Sequence, residues 1–211
     1  MPVLADVAGR CDVAASRHWV FDMDGTLTEP VHDFELIRRE LRIPADADIL
    51  DHLASLPAQQ AADSHAWLMQ HERELAEASV AAPGAVALIR ALHADGCRLG
   101  ILTRNARELA EVTLAAIGVA ECFAVEEIIG RWEVEPKPSP AGLQFFAERW
   151  QVLPAQMRMV GDHYYDLATA KAAGVPGILI NVPDDPWPGM AQWQLRDCVQ
   201  LLQQWQAAKS G

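Results

Sequence analysis

Apolar residues along this chain fall into short continuous runs separated by stripes at helical spacing. Trp19-Val20-Phe21 is the first such run, and it ends in Asp22-Met23-Asp24-Gly25-Thr26-Leu27-Thr28. An apolar run closed by a turn signal predicts a buried strand, with Asp22 at its carboxyl end. From Glu29 to about Ala82 the texture changes and no strand-like run occurs. Phe34, Ile37 and Leu41 share one helical face, as do Ile49, Leu50, Leu53 and Leu56. A third stripe runs through Leu68, His71, Leu75 and Ala78, and Pro44 and Pro57 stand at the joins. The pattern predicts an all-helical insertion of roughly fifty residues directly after the first strand.

After Pro83-Gly84 helices and strands alternate. Val86, Ile89 and Leu92 make a helix stopped by Asp95-Gly96, and Leu99 to Leu102 reads as a second buried strand leading into Thr103-Arg104-Asn105. Leu109 to Ile117 is helical and closes at Gly118, and Phe123 to Ile129 is a weaker strand. Pro136 to Pro140 is a loop, followed by a helix through Leu143, Phe146 and Trp150. Met157 to Val160 is a strand ending in Gly161-Asp162, and Leu167 to Ala173 is a helix with Gly174 as its stop. Val175 to Ile180 is a further strand, Pro183 to Gly189 a loop, and Leu195, Val199, Leu202 and Trp205 a terminal helix. Residues 1 to 16 are Ala-rich and expected to form a short packing helix or loop. Strands alternating with helices imply an α/β fold around a parallel sheet with right-handed crossovers.

Composition narrows the partners. The 211 residues are 51% hydrophobic and 22% charged, enough for a full core, and the net charge of −12 argues against nucleic acid as a partner. No apolar run approaches the ~20 residues of a membrane span and no basic leader precedes one, so no membrane partner and a cytoplasmic location are expected. Cys11, Cys97, Cys122 and Cys198 are scattered without metal-ligand spacing, as thiols in a reducing compartment would be.

Candidate chemistry collects at strand ends. Asp22 and Asp24 point the same way from extended chain, and two carboxylates so close require a cation or a shared proton. The second strand supplies Thr103, the loop Lys137, and the fourth strand Asp162 and Asp166. Gathered at one sheet edge, these offer carboxylates for a hard cation together with a hydroxyl and an ammonium for an anion rich in oxygens. The combination describes a phosphoryl site.

Asp22-Met23-Asp24-Gly25-Thr26-Leu27-Thr28, Thr103, Lys137-Pro138 and Gly161-Asp162-His163-Tyr164-Tyr165-Asp166 resemble, in order, the four motifs of the haloacid dehalogenase-like (HAD) superfamily. The resemblance covers about residues 17 to 182. The helical insertion is similar to the family's type I cap, as in phosphoglycolate phosphatase-like and β-phosphoglucomutase-like members. It implies a Rossmann-like core from residues 1–28 and 83–211 with a small all-helical cap domain at 29–82. It further implies a Mg²⁺-dependent phosphatase of a small phosphorylated metabolite, working as a monomer or homodimer. Asp22 would be the nucleophile that forms an aspartyl-phosphate, and Asp24 the general acid and base. Mg²⁺ would be held by the carboxylates of Asp22 and Asp162 and the carbonyl of Asp24, with Asp166 orienting a metal-bound water or Lys137. Thr103, Lys137 and the amides of Met23 and Asp24 would hold the phosphoryl group, with Arg104 and Asn105 beside it. Dehalogenating members lack an aspartate at the position matching Asp24, so dehalogenation is not expected.

Other readings bear on the same residues. A phosphomutase would use the same aspartyl-phosphate, and receiver domains of signalling proteins also place acids, a Thr and a Lys around an aspartate, though without a helical insertion. A calcium loop would need Glu twelve residues into the motif, where Asp33 stands. Asp166 alone could be a helix N-terminal charge, and Asn105 either touches substrate or caps the next helix. Packing is the expected role of His163 and Tyr165, and Trp187 is either a hydrophobic plug or a border of the site. His18, His65 and His93 read as surface or packing residues. In the cap, His32, Arg38, Arg42 and Arg73 are candidate substrate contacts that amphipathic helices also carry on solvated faces.

Overall fold

The structure, a computed structural model, describes residues 16–30 and 34–209. All but Ser16 of the Ala-rich opening lies outside them, as do Cys11 and His32. Six parallel strands make one sheet: β1 (His18–Phe21), β2 (Arg98–Leu102), β3 (Ile128–Ile129), β4 (Met157–Gly161), β5 (Gly177–Ile180) and β6 (Trp193–Leu195), in the order β3-β2-β1-β4-β5-β6. The direction of strand addition reverses between β1 and β4, which opens a crevice at their carboxyl ends. Register then decides what meets there. Phe21 lies opposite Ile101 on one side and Val160 on the other. Asp22, Thr103 and Asp162 follow those partners by one or two residues, so all three emerge at the same edge.

Strand alternation divides the core. Trp19 and Phe21 face one layer with Leu88, Ile89, Leu92, Leu201 and Trp205, while Val20 faces the other with Phe146, Trp150 and Met159. The helical segment between β1 and the rest has three helices: α1 (Phe34–Leu41), α2 (Ile49–Ser55) and α3 (Ala58–Glu77). They bury their own small cluster of Ile37, Ile43, Leu53 and Leu68. Around the sheet lie α4 (Ala85–Ala94), α5 (Arg107–Ala116), α6 (Ala141–Trp150), α7 (Tyr164–Ala173) and α8 (Cys198–Lys209). The segment leaves and rejoins the sheet layer through a narrow neck, where Glu29 donates to the carbonyl of Val80 and Ala82 to that of Leu27. Farther out, α3 leans on α5 through Ala76, Ala106 and Leu109.

Two expectations need correction. The stretch from Phe123 to Ile129 is a strand only at Ile128–Ile129; before that Val125–Glu127 is a 3₁₀ turn, and another, Ala120–Cys122, precedes the stretch. Ala124, Val125 and Glu126 face solvent, and adjacent glutamates are ill suited to a sheet covered on both sides. The terminal helix begins at Cys198 and not at Leu195, because Trp193–Leu195 adds a sixth strand beside β5 and Asp197 caps the helix by accepting from Gln200 N at 2.8 Å. A three-residue edge strand is too short to show periodicity. Cys97, Cys122 and Cys198 are buried free thiols. Among the described residues, no helix is long and apolar enough to cross a membrane.

Phe146 is fully buried and packs against Trp150, the rings tilted and 4.9 Å apart between centres. Phe146→Ala should therefore lower unfolding free energy by about 3–5 kcal/mol in urea titrations; a loss below about 1 kcal/mol would mean that this layer is not packed as described.

Candidate active site

The first carboxylate sits where β1 runs out. Asp22 N still donates to the carbonyl of Val160 (2.9 Å), so the strand holds its last residue, and the amides of Thr26, Leu27 and Thr28 then all turn back onto the carbonyl of Met23. Met23 buries its side chain completely in the core, leaving only its main chain for a ligand. The turn depends on Gly25, whose φ of 79° belongs to the left-handed region and whose Cβ, if present, would lie 2.3 Å from an Asp162 oxygen. Gly161 has the same role opposite, since a Cβ there would overlap the Asp166 carboxylate at 2.3 Å. Both glycines clear space for aspartates.

Asp22, Asp162 and Asp166 each bring a carboxylate oxygen within 4.8 Å of the other two. The ammonium of Lys137, almost wholly buried, donates to Asp22 at 2.5 Å and to Asp166 at 2.6 Å. Both oxygens of Asp166 are engaged, one by Lys137 and one by the amide of His163 at 3.0 Å, so it positions the ammonium. Asp162 accepts from the Thr26 hydroxyl at 2.7 Å. Asp24 accepts from Asn105 Nδ2 at 2.7 Å, which answers the question about Asn105: it faces the site, and the helix cap is Ala106 without a side-chain bond. The hydroxyl of Thr103, buried in the same wall, accepts from the Asn105 amide at 3.1 Å.

Burial drives the Asp22 carboxyl well above the usual range, against the pull of Lys137 and with help from the negative charges of Asp166 and Asp162. Burial also pushes Asp162 up to about 6, opposed by its bond from Thr26. Lys137 is held protonated: desolvation works against its charge, but Asp166 and Asp22 together outweigh it and raise its pKa. Three carboxylates and one ammonium leave an excess of negative charge in a low-dielectric place. A set of oxygen donors with that excess fits a hard divalent cation.

These groups line a cavity of about 390 Å³ roofed by the helical segment. Two ion pairs tie roof to floor inside it. Arg104 donates to Asp48 at 2.6 Å and to the carbonyl of Lys137 at 2.7 Å, and its guanidinium lies 4.6 Å over the ring of Tyr165. Arg131, just beyond β3, pairs with Glu72 of α3. Neither pair shows in the sequence; Asp48 also caps α2, accepting from the amides of Leu50 and Asp51. Asn181, which holds the motif loop through the carbonyls of Gly25 and Thr26, gave no signal beyond its place after a strand. Of the expected contacts in the helical segment, Arg38 lines the cavity, Arg73 pairs with Glu108 at the surface and Arg42 lies outside the wall. His163 caps α7, lines the cavity and meets the ring of Trp187 edge-on at 5.5 Å, while Trp187 is not part of the lining.

Comparison with known proteins gives a family. A sequence profile described as haloacid dehalogenase-like hydrolase matches residues 38–174. A haloacid dehalogenase-like hydrolase domain-containing protein of Arabidopsis thaliana is 30% identical over 187 residues, which is 80% of this chain and 74% of that protein. A phosphoglycolate phosphatase of Rhodospirillum rubrum is 41% identical over 107 residues, 51% of this chain; the match spans only 44% of that relative's length. The crystal structure of CbbY from Rhodobacter sphaeroides in complex with phosphate superposes with a TM-score of 0.67 at 22% identity, over 88% of this chain and 96% of the other.

A carboxyl whose folded pKa is raised binds more protons in the folded than in the unfolded chain, so its contribution to stability falls as pH rises through the window from about 4 to about 6. In chelator, Asp162→Asn should leave stability little changed near pH 4 and raise it above wild type at pH 7.5, measured by thermal melts. A variant less stable than wild type at pH 7.5 would remove the electrostatic account.

Proposed function

The chain belongs to the haloacid dehalogenase-like hydrolases, and on that footing we propose that it is a Mg²⁺-dependent phosphatase of a small phosphorylated metabolite, working through an aspartyl-phosphate. One observation carries the reading: Asp22, Asp162 and Asp166 converge on a single point, with Lys137 between two of them and Asp24 on the same loop. Phosphate bound in the CbbY structure and the phosphoglycolate phosphatase named among the relatives agree with it.

The chain's own groups divide the work. A carboxylate oxygen of Asp22 attacks phosphorus while the bond from phosphorus to the leaving oxygen breaks. Asp24, held through one oxygen by Asn105, delivers a proton to the departing alkoxide. In the second half Asp24 takes a proton from water as that water attacks phosphorus, the bond to Asp22 breaks, and inorganic phosphate leaves. Lys137 and Thr103 hold phosphoryl oxygens, and Asp166 fixes the ammonium. Mg²⁺ would be held by the Asp22 and Asp162 carboxylates and the main-chain carbonyl of Asp24, and when bound it supplies positive charge that offsets the phosphoryl oxygens. Residues 29–82 act as a cap: α1 and α3 put Ile37, Leu68 and Glu72 over the cavity, which suits a small ligand and excludes bulk water. A positioned acid of this kind is worth about 10²–10⁴ in rate.

Purified chain should release phosphate from p-nitrophenyl phosphate with Mg²⁺ and lose that activity in chelator. Asp22→Asn should reduce kcat by at least about 10³, and Asp24→Asn by about 10²–10⁴. Acid-quenched wild type incubated with labelled phosphoester should carry label on the Asp22 peptide. An Asp22→Asn variant with wild-type turnover would end the proposal.

A further inference from the structure

The turn that carries Asp24 is held from two sides. From within, the carbonyl of Met23 accepts from the amides of Thr26, Leu27 and Thr28. From without, Asn181, the residue that follows β5, donates through Nδ2 to the carbonyls of Gly25 at 2.8 Å and Thr26 at 3.0 Å. Two carbonyls admit only the nitrogen end of a carboxamide, so both of its N–H groups point at the turn. The backbone of Asn181 is left-handed, with a φ of 62°. Asparagine tolerates that conformation better than most residues with a side chain, and it supplies two donors on one short stem. Position 181 calls for both properties together, although none of the four motifs contains it.

The contact fixes how closely the turn approaches Asp162. A Cβ on Gly25 would come within 2.3 Å of one Asp162 oxygen, and the fully buried Thr26 donates its hydroxyl to the other at 2.7 Å. The carboxylates of Asp24, on the turn, and of Asp162 repel, which works to open this approach. Donors clamped on two successive carbonyls behind the turn oppose that opening. We infer that Asn181 is a positioning residue for the metal site: by fixing the Gly25 and Thr26 carbonyls it keeps the Thr26 hydroxyl on Asp162, and so sets the affinity of the site for its divalent ion. The inference rests on the proposed reading of Asp22 and Asp162 as the carboxylates that hold the ion, and it extends their site to the end of the neighbouring strand β5. The turn does not depend on Asn181 alone. The Met23 carbonyl holds it from within, and the buried Cys198 thiol lies 3.8 Å from the Thr26 carbonyl, so variants at position 181 are expected to fold.

Mn²⁺ is the probe, titrated by calorimetry into the full chain without substrate. Asn181→Asp keeps the size of the side chain and its tolerance of left-handed backbone but turns an oxygen toward the two carbonyls. Asn181→Gly keeps the backbone and removes the side chain. Both should weaken Mn²⁺ binding by about five-fold or more, the aspartate variant in spite of its added negative charge. A residue that only supported the fold would lower the melting temperature in chelator and leave the folded protein's Mn²⁺ affinity unchanged. An affinity unchanged or raised in Asn181→Asp therefore overturns the inference. Thr26→Val removes the hydroxyl on Asp162 and should weaken Mn²⁺ binding about ten-fold. Adding Asn181→Gly to it should then lower affinity by less than about two-fold more, because both changes break one path. Losses that multiply in the double variant overturn the path through Thr26. Turnover of p-nitrophenyl phosphate is scored separately. An inactive chain whose Mn²⁺ affinity still falls in both Asn181 variants loses only the phosphatase reading, and an active chain whose Mn²⁺ affinity ignores Asn181→Asp loses only the positioning role.

Discussion

A buried ammonium between two aspartates is the contact on which the site depends. Lys137 reaches Asp22 and Asp166 at hydrogen-bond distance with almost no exposed surface on any of the three side chains. Removing its charge would leave carboxylates buried without compensation, a change that costs about 3–5 kcal/mol in comparable pairs. The contact spans three separate parts of the chain, and sheet register makes it possible. Parallel pairing brings Phe21 level with Val160, so Asp22 follows that pair by one residue and Asp162 by two, and both emerge at the same edge. Glycine at positions 25 and 161 then gives the two carboxylates of the fourth motif room to approach.

Electrostatics explains why such a cluster marks function. Asp22 and Asp162 are held where burial disfavours their charge, so the fold forgoes stability to keep them there. A core built for stability alone would not place three carboxylates within 4.8 Å of one another. Asn105 Nδ2, the Thr26 hydroxyl and the His163 amide each donate to one carboxylate and fix it, which is the preorganisation that the proposed phosphoryl chemistry needs.

Most of this arrangement was legible before any coordinates. Asp22, Asp24 and Asp162 are visible because they close short apolar runs, which puts them at strand ends, and Asp166 follows Asp162 by four residues in the first turn of α7. Thr103 and Lys137 were readable only through their places after later elements. The helical segment showed itself through three apolar stripes and two prolines. What escaped depends on contacts between distant parts. Asp48 with Arg104 and Glu72 with Arg131 join residues 56 and 59 positions apart, and nothing in either neighbourhood announces the partner. Asn181 and β6 escaped for a related reason: one is a single side chain after a strand, the other three residues at a sheet edge. Around Glu126 and Glu127 a β-like composition gave way to turns, because exposure outweighed propensity.

The proposed chemistry requires one divalent ion shared by the carboxylates at the ends of β1 and β4. Its most direct test is Mn²⁺ binding followed by electron paramagnetic resonance on wild type, Asp22→Asn and Asp162→Asn. One ion per chain in wild type, with affinity reduced at least ten-fold in both variants and displaced by Mg²⁺, is the predicted result. Equal Mn²⁺ affinity in wild type and Asp162→Asn, with both proteins folded, would contradict it.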